Sequence, residues 1–301
     1  MSVIETLPTT TTDERIERLN VASVKRAREI DDLLAGAPGE GQILPDELLS
    51  VAGLGLDLTP EQRRTLSREE VASILTAGVQ FEAVLMAGFS LQVATAKDPS
   101  DPRVTYALHE IGEETRHSRL FLDLRAKIGP TARNPLVTGL LSKVDKYGIP
   151  HIIGRPALLF TLVLGGEEIP DMLQKIVSEH PDSDPHLSAV NRYHRAEEAR
   201  HLAFARSVLP EVWAGASWSD RFAVRHVAPL LIGGMWDTLI HPGVYGSVGL
   251  PAWETWRAVR RDPHRVAMRH QATRPVLQTL LESGVLVEGR VPRGWRRLCG
   301  V

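Results

Sequence analysis

Several glutamate and histidine residues of this chain lie within otherwise apolar runs. Metal ligands in helical proteins occupy positions of this kind. Glu82 is alone in the apolar run 79–86, and Glu114 and His117 have the spacing Glu-x-x-His. Residues three or four positions apart share one face of a helix, so Glu114 and His117 can reach the same ion. A carboxylate can bridge two ions, and an imidazole supplies a neutral nitrogen.

The same pattern recurs further along the chain. Glu167 and Glu168 follow the apolar run 158–166, and His194, Glu198 and His201 lie on successive turns of one stripe. One Glu from each of two helices, with Glu-x-x-His from each of two others, is the ligand set of di-iron and di-manganese carboxylate bundles. Burying these carboxylates without a cation would be very costly, so we predict a dinuclear metal site. The predicted ligands, with His194 as an additional seventh, are Glu82, Glu114, His117, Glu167, His194, Glu198 and His201.

Four long predicted helices position these ligands. Ser67-Arg-Glu-Glu70 has the form of a capping box, and Asp101-Pro102 and Asp184-Pro185 each place a cap before a proline at the first helical position. Four long antiparallel helices predict a bundle, the fold in which dinuclear carboxylate sites are built. The predicted class is all-α, a ferritin-like four-helix bundle core with extra N- and C-terminal helices. The predicted bundle helices are 67–97, 102–127, 154–179 and 185–208.

The flanks add shorter predicted elements. Residues 36–60 predict a loop with at most one short turn, and 285–291 is the one convincing strand pattern. We divide one integrated domain into an N-terminal helix and loop (1–66), the bundle core (67–210) and C-terminal helices that cover the bundle (211–301). Further helices are predicted from Asp13 to near Gly36 and at 134–146, 218–240, 251–261 and 263–283.

Composition limits the classes of function. The chain has 301 residues, 43% of them apolar, and a net charge of −2, which does not favour nucleic acid as a partner. We interpret the arginines around Trp295 as a solvated C-terminal tail. One cysteine, Cys299, excludes a disulfide framework, and the weakly charged stretch 147–166 contains His151, Arg155 and two prolines. We therefore expect a soluble cytoplasmic protein without a signal peptide or membrane contact.

The ligand pattern resembles that of the diiron N-oxygenases typified by p-aminobenzoate N-oxygenase (AurF), over about residues 67–210. Those enzymes use a Glu, an Asp/Glu-Glu-x-x-His, a further Glu and His-x-x-x-Glu-x-x-His. The corresponding residues are Glu82, Glu113-Glu114-Thr-Arg-His117, Glu167 and His194-Arg-Ala-Glu-Glu198-Ala-Arg-His201. The family's spacing favours Glu167 over Glu168 as a ligand, whereas helical phase also admits Glu168. Pro170 is a departure, because a proline in a helix removes a hydrogen bond and favours a kink that would move this carboxylate.

The resemblance implies an oxidoreductase. It would hold two iron ions (Fe2+/Fe3+), with manganese as an alternative, and activate O2 through a peroxo-diiron species to oxygenate an amine resembling an arylamine. The substrate would be a small-molecule amine or an acyl compound. The loop glycines form no complete dinucleotide-binding motif, so electrons would come from an external reductase or ferredoxin, or peroxide would replace them. A homodimer is one expected assembly.

Residues within a turn of the ligands are candidates for orienting them. These candidates are Glu113, Glu197, Asp171, His109 and Arg200, each with a surface ion pair as its alternative role. An apolar pocket beside the metals would be lined by Phe81, Leu85, Phe89, Phe160 and Leu164, each of which could equally be ordinary bundle core.

Three other functions use the same kind of site. One is C–H hydroxylation or desaturation of an acyl or carrier-bound substrate. A second is a ferritin-like ferroxidase or iron-storage bundle. A third is a radical-generating subunit, for which Tyr106 and Tyr193 are the tyrosines near ligand turns.

Overall fold

The computed structural model describes residues 11–137 and 148–301, and this part of the chain contains helices and no strand. The all-α class is therefore confirmed. Short 3-10 turns occupy Asp46–Leu48, Ala52–Leu54 and Pro135–Val137, and residues 148–153 are helical. The helices are α1 (Thr12–Arg26), α2 (Asp31–Ala35), α3 (Pro60–Thr95), α4 (Pro102–Ile128), α5 (Pro156–Glu179), α6 (Pro185–Ala214), α7 (Trp218–Phe222), α8 (Ala228–Thr238), α9 (Pro242–Ser247), α10 (Ala252–Val259), α11 (Pro263–Glu282) and α12 (Arg293–Cys299).

Four long helices form the centre of the fold, with α3 packed along α4 and α5 packed along α6. Helices α4 and α6 begin where the sequence predicts, at a capping aspartate followed by proline. The Asp101 side chain accepts a hydrogen bond from the Arg103 amide, and Asp184 accepts one from the Leu187 amide. The two caps satisfy amides that helix geometry leaves unpaired, which fixes where the ligand-bearing helices start.

The start of α3 differs from the prediction. It begins at Pro60, and its capping box pairs Thr59 with Gln62. Ser67, the predicted start, lies inside the helix, where its hydroxyl donates to the Arg64 carbonyl and accepts from the Ile43 amide. A threonine cap combined with proline at the first helical position is the stronger start signal, and it overrides the second capping pattern.

Two prolines lie inside helices. Helix α6 continues through Pro210 to Ala214, so its predicted end at 208 is wrong, and α5 continues through Pro170 to Glu179. Each proline removes one backbone hydrogen bond. Beyond Pro210, the burial of Trp213 in the main core offsets that loss. Glu167 therefore stays on a helical segment.

Several short elements correct the sequence prediction. The predicted helix from Asp13 to Gly36 is two helices, α1 and α2, and the cap of α1 is Thr11. The loop 36–60 contains two 3-10 turns instead of at most one. The predicted strand 285–291 is irregular, because no partner strand exists among the described residues to satisfy its backbone groups. The predicted helix 134–146 lies outside the described residues from position 138 onward.

Helix α12 corrects the interpretation of the C-terminal segment as a solvated tail. Trp295 is fully buried, and its indole nitrogen donates to the Val224 carbonyl. Leu298 and Cys299 are buried beside it. The arginines of α12, Arg293, Arg296 and Arg297, face solvent, while packing of Trp295 anchors the helix against the π-helical turn Ala223–Val227 that links α7 and α8.

The flanking helices pack onto the bundle. Helix α1 contacts α4 and α6, while α8 and α11 contact α5. The division into three segments remains a prediction. By length and composition alone, one described helix, Pro60–Thr95, could span a membrane, with a mean hydropathy of 1.5 in its most apolar stretch. That helix carries the buried Glu82 and packs on α4, and the expected absence of membrane contact stays a prediction.

Candidate metal centre

The seven predicted ligands come together inside the bundle in two groups that share Glu198. Within each group, one possible ligand atom from every residue lies within 4.8 Å of the others. All seven side chains are buried. The first group, called here position one, contains Glu82, His117, His194 and Glu198, and the second, position two, contains Glu114, Glu167, Glu198 and His201.

The two Glu-x-x-His histidines point the same nitrogen toward the carboxylates. His117 Nδ1 lies 3.1 Å from both Glu114 Oε2 and Glu198 Oε1. His201 Nδ1 lies 2.8 Å from Glu198 Oε2 and 3.1 Å from Glu114 Oε1. Glu114 and Glu198 therefore lie between the two histidines, which is the geometry expected of carboxylates that bridge two ions.

The outer nitrogens of these histidines are held by carboxylates from the opposite helix. His117 Nε2 is 3.0 Å from Glu197 on α6, and His201 Nε2 is 2.8 Å from Glu113 on α4. Each of these glutamates directly precedes a predicted ligand, so α4 and α6 brace one another reciprocally. A carboxylate on the far nitrogen of a ligating histidine fixes its tautomer and raises its basicity.

A buried arginine joins the two bracing carboxylates. Arg200 Nη2 lies 2.9 Å from Glu113 Oε1 and 3.5 Å from Glu197 Oε1, and Arg116 also pairs with Glu197. The positive charges hold both carboxylates in place. The predictions that Glu113, Glu197 and Arg200 lie against the ligands thus correspond to observed contacts.

His194 is oriented differently. Its Nδ1 lies 3.0 Å from the side-chain oxygen of Gln174, and its Nε2 lies 3.2 Å from Glu198 and 3.4 Å from Glu82. Because the Gln174 oxygen can only accept, Nδ1 carries the proton and Nε2 keeps a free lone pair. Burial lowers the pKa of His194 to about 4, which keeps the ring neutral near pH 7.

The structure separates Glu167 from Glu168. Glu167 is in position two, whereas Glu168 points to Arg206 on α6 and forms an ion pair with it. A Cβ added at Gly166 would lie 1.5 Å from Phe81 Cζ, so the ring of Phe81 on α3 occupies the space that glycine leaves open on α5 beside Glu167. Glu167 thus lies in position two although Pro170 interrupts the hydrogen-bond pattern of α5.

The charges of the seven side chains, and the oxygens among them that form no hydrogen bond, suit two bound cations. Burial and the charge of Glu114 raise the pKa of Glu82, and burial and the charge of Glu198 raise the pKa of Glu167. Glu82 and Glu167 each have one buried oxygen without a hydrogen-bond partner, and the oxygens of Glu114 and Glu198 that form no hydrogen bond lie against histidine nitrogens. Such oxygens are costly unless a cation binds them. A mixed set of imidazole and carboxylate donors suits both iron and manganese.

Other predicted residues have different surroundings. Asp171 forms a salt bridge with Arg195, the surface role that was its alternative. For His109, the described residues show no hydrogen bond to a ligand. Phe89 and Phe160 pack edge to face in the main core, with centroids 6.2 Å apart. Leu85 and Leu164 are buried in that core and Phe81 packs against it, and a substrate pocket there remains a prediction.

Two residues near the metal centre were not predicted from the sequence. Gln174 lies seven positions after Glu167, two helical turns along the same face, and that spacing is the signal that could have found it. Glu110 lies one turn before Glu114, is fully buried and has no hydrogen-bond partner for either oxygen. Burial raises the pKa of Glu110 well above its ordinary value, which favours the protonated carboxyl close to position two.

The two tyrosines near the ligands, Tyr106 and Tyr193, have different contacts. The Tyr193 hydroxyl donates to Glu197 at 2.9 Å, which adds a fourth contact to that bracing carboxylate, after His117, Arg116 and Arg200. Tyr106 is fully buried, stacks on Phe204 with centroids 4.2 Å apart, and has a hydroxyl without a hydrogen-bond partner. Neither contact is specific to radical chemistry.

Comparison with known proteins provides independent findings. A family model described as P-aminobenzoate N-oxygenase AurF matches residues 9–284. The uncharacterized proteins Rv0885 of Mycobacterium tuberculosis and Mb0909 of Mycobacterium bovis are each 30% identical over 173 residues, which is 57% of this chain and 50% of theirs. The chain thus spans about half the length of the curated relatives that it matches.

Solved structures with a similar fold are more distant in sequence. Two mutant forms of an R2-like ligand-binding oxidase, with Mn/Fe cofactors reconstituted anaerobically and aerobically, are 15% and 14% identical to this chain. Each alignment covers 90% of this chain and 93% or 94% of the other, with TM-scores of 0.52 and 0.54. At this identity the likeness shows a shared fold, which agrees with the predicted helical bundle.

Proposed function

The chain belongs to the AurF family, and from that premise we propose that it is an O2-dependent oxygenase that binds two iron ions and oxygenates the nitrogen of an amine. Manganese is the alternative metal, and an arylamine is the expected class of substrate. The proposed ligands are the seven residues of positions one and two.

The observation that carries this proposal is the placement of His194. Glu198-x-x-His201 and its partners are expected in any dinuclear carboxylate bundle, whatever its function. The resemblance to the N-oxygenases depends on a further histidine four residues before Glu198. The buried, neutral ring of His194 directs Nε2 toward Glu82 and Glu198 and is held from behind by Gln174, which suits a ligand.

The ligand set of the two positions suits two metals, iron and manganese. Mixed nitrogen and oxygen ligands suit iron and manganese alike. The R2-like oxidases that share this fold are described with Mn/Fe cofactors, which supports keeping manganese in the proposal. Position one offers two histidines and position two only one, so the two positions present different donor sets.

The bound metals would supply the redox chemistry with O2, while the protein supplies geometry and protons. Glu113 and Glu197 would hold His201 and His117 in one tautomer and orientation, and Gln174 would do the same for His194. The closely packed aromatic side chains around Phe89 would keep bulk water from the centre. Glu110 would retain its proton at a carboxyl oxygen and offer one proton store beside position two.

An external electron donor is part of the proposal. Converting an amine to a hydroxylamine with O2 consumes two electrons and two protons and releases one water. The sequence contains no complete dinucleotide-binding motif, so a separate reductase or ferredoxin is the expected source of these electrons, with peroxide as a substitute.

The test begins with protein loaded anaerobically with ferrous iron. We expect about two ions per chain, and His194→Ala should lose the ion of position one. Exposure to 18O2 with p-aminobenzoate and an electron donor should give a hydroxylamine or nitro product that contains the label. Fewer than one ion per chain would overturn the metal assignment.

Different products would change the chemistry while preserving the metal site. Labelled C–H hydroxylation, or desaturation of an acyl substrate, would replace N-oxygenation with the other oxidation. Mineral formation with excess iron and no effect of any amine would identify a ferroxidase.

A further inference from the structure

An arginine-rich cleft lies on the outer surface of the C-terminal helices. It has a volume of about 520 Å³ and is lined by residues of α8, α10, α11 and α12, together with the turn that follows α10. Ligand sites typically measure roughly 300–1,000 Å³, so the volume suits a small molecule. The five arginines that line this cleft are Arg257, Arg260, Arg261, Arg269 and Arg297.

Most of this positive charge is uncompensated. Among the described residues, only Arg260 of these five forms a salt bridge, to Asp237, which is the acidic residue of the lining. Arg260 also stacks on Trp256, 4.4 Å from the ring centroid. Arg269 has a buried Nε without a hydrogen-bond partner. Four guanidinium groups therefore remain available in a protein whose overall charge is −2.

The cleft also has an apolar side. Leu230, a large residue that is 70% exposed, and the buried Leu298 contribute to its lining. A Cβ added at Gly234 would meet no atom within 4 Å, so the space above this part of α8 is open. A ligand that matches both parts needs a concentrated negative charge and an apolar or aromatic portion.

We propose that this cleft binds a small molecule that carries a diphosphate group on an apolar or aromatic moiety, of which a nucleoside diphosphate is the simplest example. Guanidinium groups form paired, charge-assisted hydrogen bonds with phosphate oxygens. Four such groups can neutralise the charge of a diphosphate, while Leu230 contacts the remainder of the ligand. A concave surface of this size favours a small ligand over a protein or nucleic-acid surface.

This site is separate from the proposed metal centre, although it is not remote in the fold. The opposite face of α8 packs on α5 through Ile232, whose Cγ1 would lie 2.7 Å from a Cβ at Gly165. Gly165 is two residues before Glu167. The cleft thus lies on the outer face of α8, and Glu167 lies on α5, against which the inner face of α8 packs. Binding of a ligand in the cleft can be measured without an assay of oxygenase activity.

The test is calorimetric titration of the iron-loaded protein with adenosine, AMP and ADP, without magnesium and at low ionic strength. We expect one ADP per chain, AMP about tenfold weaker, and no saturable binding of adenosine, because each phosphate adds charge-assisted contacts. ADP affinity should fall as salt is raised. Equal binding of adenosine and ADP, or no binding of ADP, would overturn the proposal.

Matched variants locate the binding. Arg261→Gln with Arg297→Gln should weaken ADP about tenfold or more, because both side chains line the cleft. Arg290→Gln with Arg293→Gln removes the same charge from exposed positions that do not line it, and should bind ADP normally. Any heat from chelation of iron by ADP would be the same for the two double variants. If both double variants weakened ADP binding equally, the effect would be long-range electrostatic attraction, and the proposed site in the cleft would be contradicted.

A second variant tests the cleft without changing its charge. Gly234→Phe places a ring in the open space, and it should block ADP while the helical circular dichroism stays unchanged. Undiminished ADP binding to this variant would contradict the location. If a single-stranded oligonucleotide bound at the same arginines and ADP did not displace it, the ligand would be a nucleic acid and the proposal of a small molecule would be wrong.

Discussion

Gln174 Oε1 accepts a hydrogen bond from His194 Nδ1 across 3.0 Å, and this contact leaves His194 Nε2 directed at Glu82 and Glu198. Gln174 is on α5 and His194 is on α6, so the contact depends on how these helices pack. It uses an amide where His117 and His201 use carboxylates. His194 is therefore held as a neutral donor.

Gln174→Leu should weaken metal binding at position one. The variant leaves His194 Nδ1–H buried without an acceptor and frees the ring to rotate. Loss of a hydrogen-bond partner behind a ligand typically costs about 10- to 100-fold in metal affinity. Anaerobic titration with ferrous iron measures it, and the exposed Gln271→Leu on α11 is the control. Unchanged affinity and stoichiometry in Gln174→Leu would contradict the proposed role.

Glu197→Gln and Glu113→Gln should affect different metal positions. Glu197 braces His117 of position one, whereas Glu113 braces His201 of position two. A neutral amide accepts a weaker hydrogen bond than a carboxylate does, so the imidazole it contacts becomes a poorer donor. Anomalous scattering from crystals with limiting iron would report the occupancy of each position. Loss of the same ion in both variants would show that the positions do not respond independently.

Substitution of neighbouring glutamates distinguishes a ligand from an ion pair. Glu167→Gln should reduce binding to about one ion per chain, because position two loses a carboxylate. Glu168→Gln should retain two ions, since it removes only the pair with Arg206, whose side chain is 44% exposed. Glu168 itself is only 9% exposed, but Arg206 can return to water when the pair is lost, so the free energy of unfolding of Glu168→Gln should change by about 1 kcal/mol or less. Iron analysis and urea unfolding measure both quantities, and the reverse pattern would assign Glu168 as the ligand.

Glu70→Gln should make stability less dependent on pH. Glu70 is buried and accepts hydrogen bonds from the amide and hydroxyl of Ser50, and burial raises its pKa to about 7 from 4.5. The folded state thus holds a proton that the unfolded chain has released between pH 4.5 and 7. This contribution to stability is present below pH 4.5 and is lost as pH rises through 7. Relative to Glu70→Gln, the native protein should lose about 2 kcal/mol between pH 5 and 8.

Urea unfolding of metal-free protein at several pH values measures this difference. Glu61→Gln, at a side chain that is 72% exposed, is the matched control and should follow the native protein. A stability difference between native protein and Glu70→Gln that stays constant from pH 5 to 8 would contradict the assignment.

Local patterns were enough to predict the helical class and the two Glu-x-x-His pairs that meet at the centre. The starts at Asp101-Pro102 and Asp184-Pro185 depend on a side chain and an amide within one turn, and the structure has both. Glu114 with His117, and Glu198 with His201, share helix faces through spacing alone. These relationships do not depend on how the helices are arranged, so they are determined by the sequence itself.

Tertiary packing decided the rest. Whether Glu167 or Glu168 turns inward depends on the rotation of α5 against α6, where Arg206 engages Glu168. The contact of Gln174 with His194 joins two helices, so neither segment alone predicts it. Burial of Trp295 converted an expected solvated tail into α12, and with it one wall of the arginine-rich cleft. Contacts between distant segments depend on relative helix positions, which a linear pattern of residues does not specify.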